Sequence, residues 1–274
     1  MSAPRRFLFT LTAGRTGTAS LAKLFEINFP AAESHHEIIG WDRFGLDSPD
    51  LSTMTLFNSQ GNLPAVREFW ARKFARVAAS PSALYVETSH VLMKAGLLEN
   101  LDLLLAAVEG PAELHFVDLQ RDLFDTVLSY RSRFDFTNKS MWWLWYLDPT
   151  YPRNIVDFGK LADFGLNGVC LWYLFEVRAR AAYYRQLFAA RPGVVFHRLD
   201  LTALQDEAAM TAFLSAVSGH ALPKPCRLPE RQNLGQNKPS FAPKEVELLR
   251  RMASEIRFDP EATARDYIDQ GRRL

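Results

Sequence analysis

Short apolar runs alternate along the chain with stretches in which apolar residues recur every three or four positions. Phe7 to Thr12 is an apolar run of strand length, followed by a Gly/Thr-rich turn and then by Leu21, Leu24 and Phe25 at helical spacing. Glu33 to Ile39 reads as a second short strand. Between Leu63 and Val77, Val66, Phe69, Trp70, Phe74 and Val77 form an apolar stripe with charged residues between them, which predicts a helix. Ala83 to Glu87 is strand-like and precedes a helical pattern from Leu92 to Val108; Glu113 to Leu119 and Leu123 to Phe134 repeat the pair. A long aromatic-rich connection runs from Asp135 to about Phe164. Leu171 to Leu187 predicts a helix, Val194 to Leu199 a strand, and Ala208 to Val217 a helix stopped by Gly219. Strands alternating with helices predict an α/β fold with a mostly parallel central sheet and helices on both faces, built as one domain over residues 1–274. In such sheets ligands sit beyond the carboxyl ends of the strands, where loops enter helices.

Composition adds a few constraints. Hydrophobic residues make up 48% and charged residues 23% of the 274, ordinary values for a chain with a sizeable core. The net charge of +1 gives no global basic field of the kind that attracts nucleic acid or anionic membranes, so an anionic ligand must be held by a local site. Two arginines precede the first apolar run, but that run is only about five residues long and leads into a glycine turn, which favours a buried strand over a signal peptide. No stretch approaches the roughly 20 apolar residues of a membrane span. Cys170 and Cys226 have neither metal nor redox spacing; with them the chain reads as a soluble, cytoplasmic protein with no metal motif.

Two strand-to-helix junctions carry candidate chemistry. After the first strand stands Gly14-Arg15-Thr16-Gly17-Thr18-Ala19-Ser20. Glycine lets the backbone approach an anion closely, the N–H groups at a helix start converge on it, and Arg15 adds a cation. The nucleotide-kinase form of such a loop needs Gly-Lys-Ser/Thr, and here Gly17 is followed by Thr18, which disfavours an ATPase or small-molecule kinase. At the end of the Glu113 to Leu119 strand, Arg121 precedes Ser129 by eight residues, about two helical turns, so that a guanidinium and a hydroxyl are placed to share one phosphate.

Together these motifs resemble the PAPS-dependent sulfotransferases. Arg15-Thr16-Gly17-Thr18-Ala19 resembles their 5′-phosphosulfate loop, with Ala19 where a second threonine is usual and Ser20 beside it. Arg121, Asp125 and Ser129 have the spacing of their 3′-phosphate motif, with Leu123 in place of its proline. Phe196 to Leu201 followed by Phe213 to Gly219 resembles the block that closes the family's nucleotide site. Asn233, Gly235 and Lys238 fall where its last donor-contacting loop lies. The resemblance runs from about Phe7 to Lys238. It implies a P-loop-like three-layer sandwich, PAPS as donor, and transfer of a sulfuryl group to a hydroxyl or amine without a metal. In that setting Arg15 acts electrostatically on the leaving phosphate, because arginine holds its proton at neutral pH. Three residues are candidates for the base that takes the acceptor's proton: Glu37, Glu87 and His90. Met141-Trp-Trp-Leu-Trp145-Tyr146 is either a lid over an acceptor or a helical piece packed on the core. A carbohydrate acceptor is favoured, with a small phenol or a lipid as alternatives, and a nucleotide-binding module without catalysis is the alternative to an enzyme.

Overall fold

The computed structural model describes residues 3–38, 40–137, 145–230 and 241–274. Five strands, β1 (Arg5–Leu11), β2 (Glu33–His36), β3 (Leu84–Thr88), β4 (Ala112–Gln120) and β5 (Val194–Asp200), form one sheet in the order β2-β3-β1-β4-β5. Every pairing is parallel. The order reverses at β1, which has β3 on one side and β4 on the other. The crevice beyond its carboxyl end is therefore the topological switch point.

From Phe7 to Leu11 β1 is buried on both faces and apolar except for Thr10. Phe7, Phe9 and Leu11 face one layer with Tyr85, Leu114 and Phe116. Its helices are α2 (Leu51–Gln60), α3 (Pro64–Ala78), α4 (Leu101–Ala107), α5 (Leu123–Arg131), α6 (Gly165–Phe188), α8 (Pro243–Glu255) and α9 (Pro260–Asp269), each contributing buried apolar residues. Leu8 faces the opposite layer with Val86, Val117 and Leu119, where α1 (Thr18–Asn28) and α7 (Glu207–Ser218) supply Leu21, Leu24, Phe25, Met210, Phe213 and Leu214. This is the expected three-layer α/β sandwich, and its sheet is wholly parallel.

Several boundaries differ from the sequence pattern for local reasons. β2 stops at His36 rather than Ile39, because Glu37 turns into the left-handed region at φ 47°. The expected helix from Leu92 to Val108 is divided into 3-10 turns at Leu92–Ala95 and Leu98–Asn100 and the short α4; Gly96, at φ 89°, interrupts it. Helices α2, α8 and α9 have no counterpart in the expected pattern. The side chain of Asp50 caps α2 by accepting from Thr53 N, and α8 and α9 each carry proline in the first turn. Among the described residues no helix is long and apolar enough to cross a membrane. Cys170 and Cys226 are buried and unpaired as thiols.

Candidate functional site

The turn from β1 into α1 is built so that backbone, not side chain, faces outward at its tip. Gly14 has φ 86° and Gly17, the N-cap of α1, has φ 101°. A Cβ on Gly17 would come within 2.6 Å of Leu201 Cδ1 and 2.9 Å of Leu204 Cδ1, so the short turn Leu201–Gln205 after β5 seals the loop from behind. A Cβ on Gly14 would lie 3.2 Å from His90 Cγ; glycine there lets the imidazole rest on the loop. The N-cap contributes no side chain, and no acidic residue occupies the first turn of α1. Its leading N–H groups therefore form an uncapped, positively polarised end. Thr12 and Thr16 share a buried hydroxyl–hydroxyl hydrogen bond of 2.5 Å, and Thr12 also donates to Leu119 O. Thr16 thus stiffens the loop through its side chain, and Thr18 is buried as well. Arg15, Ala19 and Ser20 remain partly exposed.

The second junction closes onto the first. Arg15 Nε donates to Ser129 Oγ at 3.0 Å, and Arg121 Nη1 donates to the carbonyl of Arg15 at 3.3 Å. Residues more than a hundred positions apart thereby meet at the carboxyl ends of β1 and β4. Asp122 is occupied in capping α5, and Asp125 reaches Arg121 only as a loose ion pair, Oδ2 4.0 Å from Nη2. Arg121 Nε is buried without a hydrogen-bond partner among the described residues. Burial lowers the pKa of Arg15, with the charge of Arg133 adding to the effect. Both arginines are in surroundings that an anion would relieve.

A third group of residues borders Arg15. Glu37 follows β2 and is held by its own N–H on Thr88 O. Its Oε1 lies 3.6 Å from His90 Nε2, and its Oε2 4.0 Å from His36 Nε2. His90 stands just beyond β3, nearly buried, with Tyr146 stacked on it at 5.9 Å and Trp145 at 6.3 Å. Trp145 in turn meets Phe44, which meets the exposed Trp41. An aromatic file therefore leads from His90 toward solvent. Among the described residues the non-glycine positions in the left-handed region are Arg15, Glu37, Phe134 and Phe136, and all four belong to the segments that form this site. Each costs on the order of 1–3 kcal/mol, and such strain collects where geometry has been selected over stability.

Glu87 is not part of the cluster. It is wholly buried at the end of β3, bonded twice to Lys73 Nζ at 2.8 and 2.9 Å and once by Tyr85 OH at 2.9 Å. Its carboxylate is turned into the layer of α3, away from Glu37 and His90. Asn233, Gly235, Lys238 and Trp142 lie outside the described residues.

The structure also places groups at the site that the motif spacing does not single out. Arg133 and Asp135 follow α5, with Arg133 Nε 3.7 Å from Asp135 Oδ2; burial raises the pKa of Asp135, which is bonded to Tyr146. Tyr130 and Tyr173 both donate to the carbonyl of Ala13, anchoring the loop from α5 and α6. Lys94 lies behind His90. The signal for Lys94 was a lone lysine in the apolar run Val91-Leu-Met-Lys94-Ala, one turn after a histidine. Among the described residues no group of three or more His, Cys, Asp or Glu is arranged to hold a metal ion.

No family model matches the chain, and no curated protein matches it. A structural likeness covers 100% of this chain and 98% of a sulfotransferase from Alicyclobacillus acidocaldarius, at 14% identity and a TM-score of 0.47. A likeness of that size assigns no chemistry, which has to come from the residues.

Proposed function

We propose that the protein is a sulfotransferase that moves the sulfuryl group of PAPS to an acceptor hydroxyl or amine. The supporting observation is the meeting of the two phosphate-type motifs: Arg15 Nε on Ser129 Oγ at 3.0 Å, with Arg121 on the Arg15 carbonyl. In this reading a 3′,5′-bisphosphate spans the junction. Arg121 and Ser129 take the 3′-phosphate, and Arg15 with the uncapped start of α1 (Gly17, Thr18, Ala19, Ser20) takes the 5′-phosphate. Thr16 contributes backbone and stiffness, its hydroxyl being engaged by Thr12. Lys238 is kept as a further donor contact.

Transfer is an in-line displacement at sulfur in which charge builds on the bridging phosphate oxygen. Arg15 and the N–H groups of α1 are positioned to stabilise that charge, and no metal is required. The acceptor's proton is taken at the Glu37–His90 pair, which borders Arg15 across Gly14. Glu87 has no such part, being fully engaged by Lys73 and Tyr85. The aromatic file from His90 to Trp41 suits a flat or sugar-faced acceptor, and a carbohydrate is the preferred class.

Isothermal calorimetry with PAP (the desulfated product), AMP and ATP–magnesium tests this. PAP is expected to bind more tightly than either. Removing one charge-assisted contact is worth about 1.5–3 kcal/mol, so Arg121→Ala or Arg15→Ala should weaken PAP roughly 10- to 150-fold. Arg121→Ala should do so with little effect on AMP. No binding of PAP, or a preference for ATP–magnesium, would sink the proposal.

A further inference from the structure

Arg121 is the single residue between the last sheet pairing of β4, Gln120 with Asp200, and Asp122, the N-cap of α5. Its side chain is held loosely. Nη1 reaches the Arg15 carbonyl at 3.3 Å, Nη2 has Asp125 at 4.0 Å, and Nε has no hydrogen-bond partner among the described residues. Arg121 also lines a small cavity with Leu11, Asp118, Thr126 and Val177, so close packing does not fix it from within. The direction of the guanidinium is therefore set mainly through its own backbone.

That backbone has an anchor beyond the sheet. Arg178 Nη2 donates to Arg121 O at 2.8 Å, and among the described residues no other group donates to this carbonyl. Arg178 lies in the middle of α6, with Leu174 and Val177 buried beside it, so it is carried on a rigid element. Carboxylates face it from three neighbouring elements: Asp118 from β4, Asp122 from the start of α5 and Asp200 from the end of β5, with Arg198 beside them. Asp118 is taken by Gln120, Arg185 and Arg198, and Asp122 by its cap. The Arg121 carbonyl is the one hydrogen-bond acceptor of Arg178 among the described residues. The contacts form a file: Arg178 on Arg121 O, Arg121 on Arg15 O, and Arg15 on Ser129 Oγ. Two of the three guanidinium groups are fastened to the main chain of the next arginine, so α6 stands behind both phosphate-type junctions.

We propose that Arg178 is a positioning residue, which grips the Arg121 carbonyl from α6 and so aims the Arg121 guanidinium at the 3′-phosphate. The ligand in this statement rests on the sulfotransferase reading. Without the grip, the Arg121 peptide is free to turn at the strand-to-helix step and the side chain loses its aim. The phosphate loop keeps the anchors that Tyr130 and Tyr173 supply at Ala13 O. The loss therefore falls on the 3′-phosphate and spares the 5′-phosphate. Its expected size is about tenfold, the lower end of what losing the Arg121 contact outright would cost.

The test is calorimetry with PAP and AMP on the wild type, Arg178→Met, Arg178→Lys, Arg121→Ala and Arg121→Ala/Arg178→Met. Arg178→Met should weaken PAP about tenfold and leave AMP within about twofold. Arg178→Lys keeps an N–H donor, which is all the contact uses, and should hold PAP within about threefold of the wild type. In the Arg121→Ala background, Arg178→Met should change PAP by less than about twofold, because no guanidinium is left to aim. Unchanged PAP binding in Arg178→Met overturns the proposal, as does an equal loss of PAP and AMP, which is what a merely structural arginine would give. A further loss of about tenfold in the Arg121→Ala background also overturns it, since Arg178 would then meet the ligand itself. If Arg178→Met does not fold, Arg178→Gln, too short to reach the carbonyl, is judged by the same criteria. A wild type that does not prefer PAP to AMP overturns the sulfotransferase reading and this assignment with it. A wild type that prefers PAP, with the preference intact in Arg178→Met, overturns the assignment alone.

Discussion

Lys73 and Glu87 are withdrawn from solvent together, at 2% and 0% exposure, and each meets most of the other's bonding needs. Glu87 accepts twice from Lys73 and once from Tyr85; Lys73 has one further acceptor, the Asp47 carbonyl at 2.6 Å. Lys73→Met keeps the length of the side chain but leaves Glu87 with a single donor in an apolar layer. Breaking a buried pair from one side costs about 3–5 kcal/mol, because the survivor is an uncompensated charge. For a chain of this size that corresponds to a fall in Tm of roughly 6–20 °C. Glu87→Gln strands the ammonium in the same way and should cost a similar amount. The double replacement Lys73→Met/Glu87→Leu removes both charges and should lie well above either single variant, since an apolar pair of similar volume is often no less stable than a buried salt bridge. Urea denaturation of the wild type, Lys73→Met, Glu87→Leu and the double variant, followed by circular dichroism, gives the coupling directly. The reasoning is refuted if Glu87→Gln unfolds within about 0.5 kcal/mol of the wild type, the range of an ordinary surface substitution. That result would also restore Glu87 as a candidate base.

Two further outcomes follow from local geometry. Gly17→Ala places a Cβ against Leu201 and Leu204 on a backbone at φ 101°, so it should destabilise the protein by about 1–3 kcal/mol. It should also weaken PAP at least tenfold, measured by calorimetry; adding Leu201→Ala should relieve the clash without restoring full affinity. Burial raises the pKa of Glu99 to about 7 from 4.5; among the described residues its Oε1 has no hydrogen-bond partner, while Oε2 accepts from Tyr184. An acid whose folded-state pKa is raised stabilises below its unfolded pKa, and that contribution is lost as pH rises through the folded one. Glu99→Gln should therefore gain stability over the wild type between about pH 4.5 and pH 7, by roughly 3 kcal/mol at most, in urea titrations at pH 5 and pH 8.

The strands were legible because a parallel sheet covered on both faces needs runs such as Phe7-Leu8-Phe9, and turn residues bracket each run. Their ends located the phosphate-type junctions, since a strand entering a helix at the switch point is where N–H groups converge. Three helices escaped the same reading. In α2 the decisive signal was a cap, Asp50 on Thr53, more than a stripe; α8 and α9 do carry apolar stripes at helical spacing behind a first-turn proline, Val246, Leu249 and Met252 in one and Ala264, Tyr267 and Ile268 in the other, so their pattern stood in the sequence to be read. Glu87 illustrates a different limit. Position at the end of a strand predicts nearness to a site but not the face on which a side chain stands, and a strand alternates faces residue by residue. Tyr85 and Glu87 share the face turned toward α3. The opposing clue was already in α3, where Lys73 falls on the apolar stripe seven residues after Val66 and three after Trp70. A cation on a core-facing stripe calls for a buried partner. Lys94 obeys the same rule with a different answer: its partners are a carbonyl, a phenol and an imidazole. Lys73 holds Glu87 in place as structure, and Lys94 ties His90 to the carbonyl of Trp145 and the hydroxyl of Tyr173.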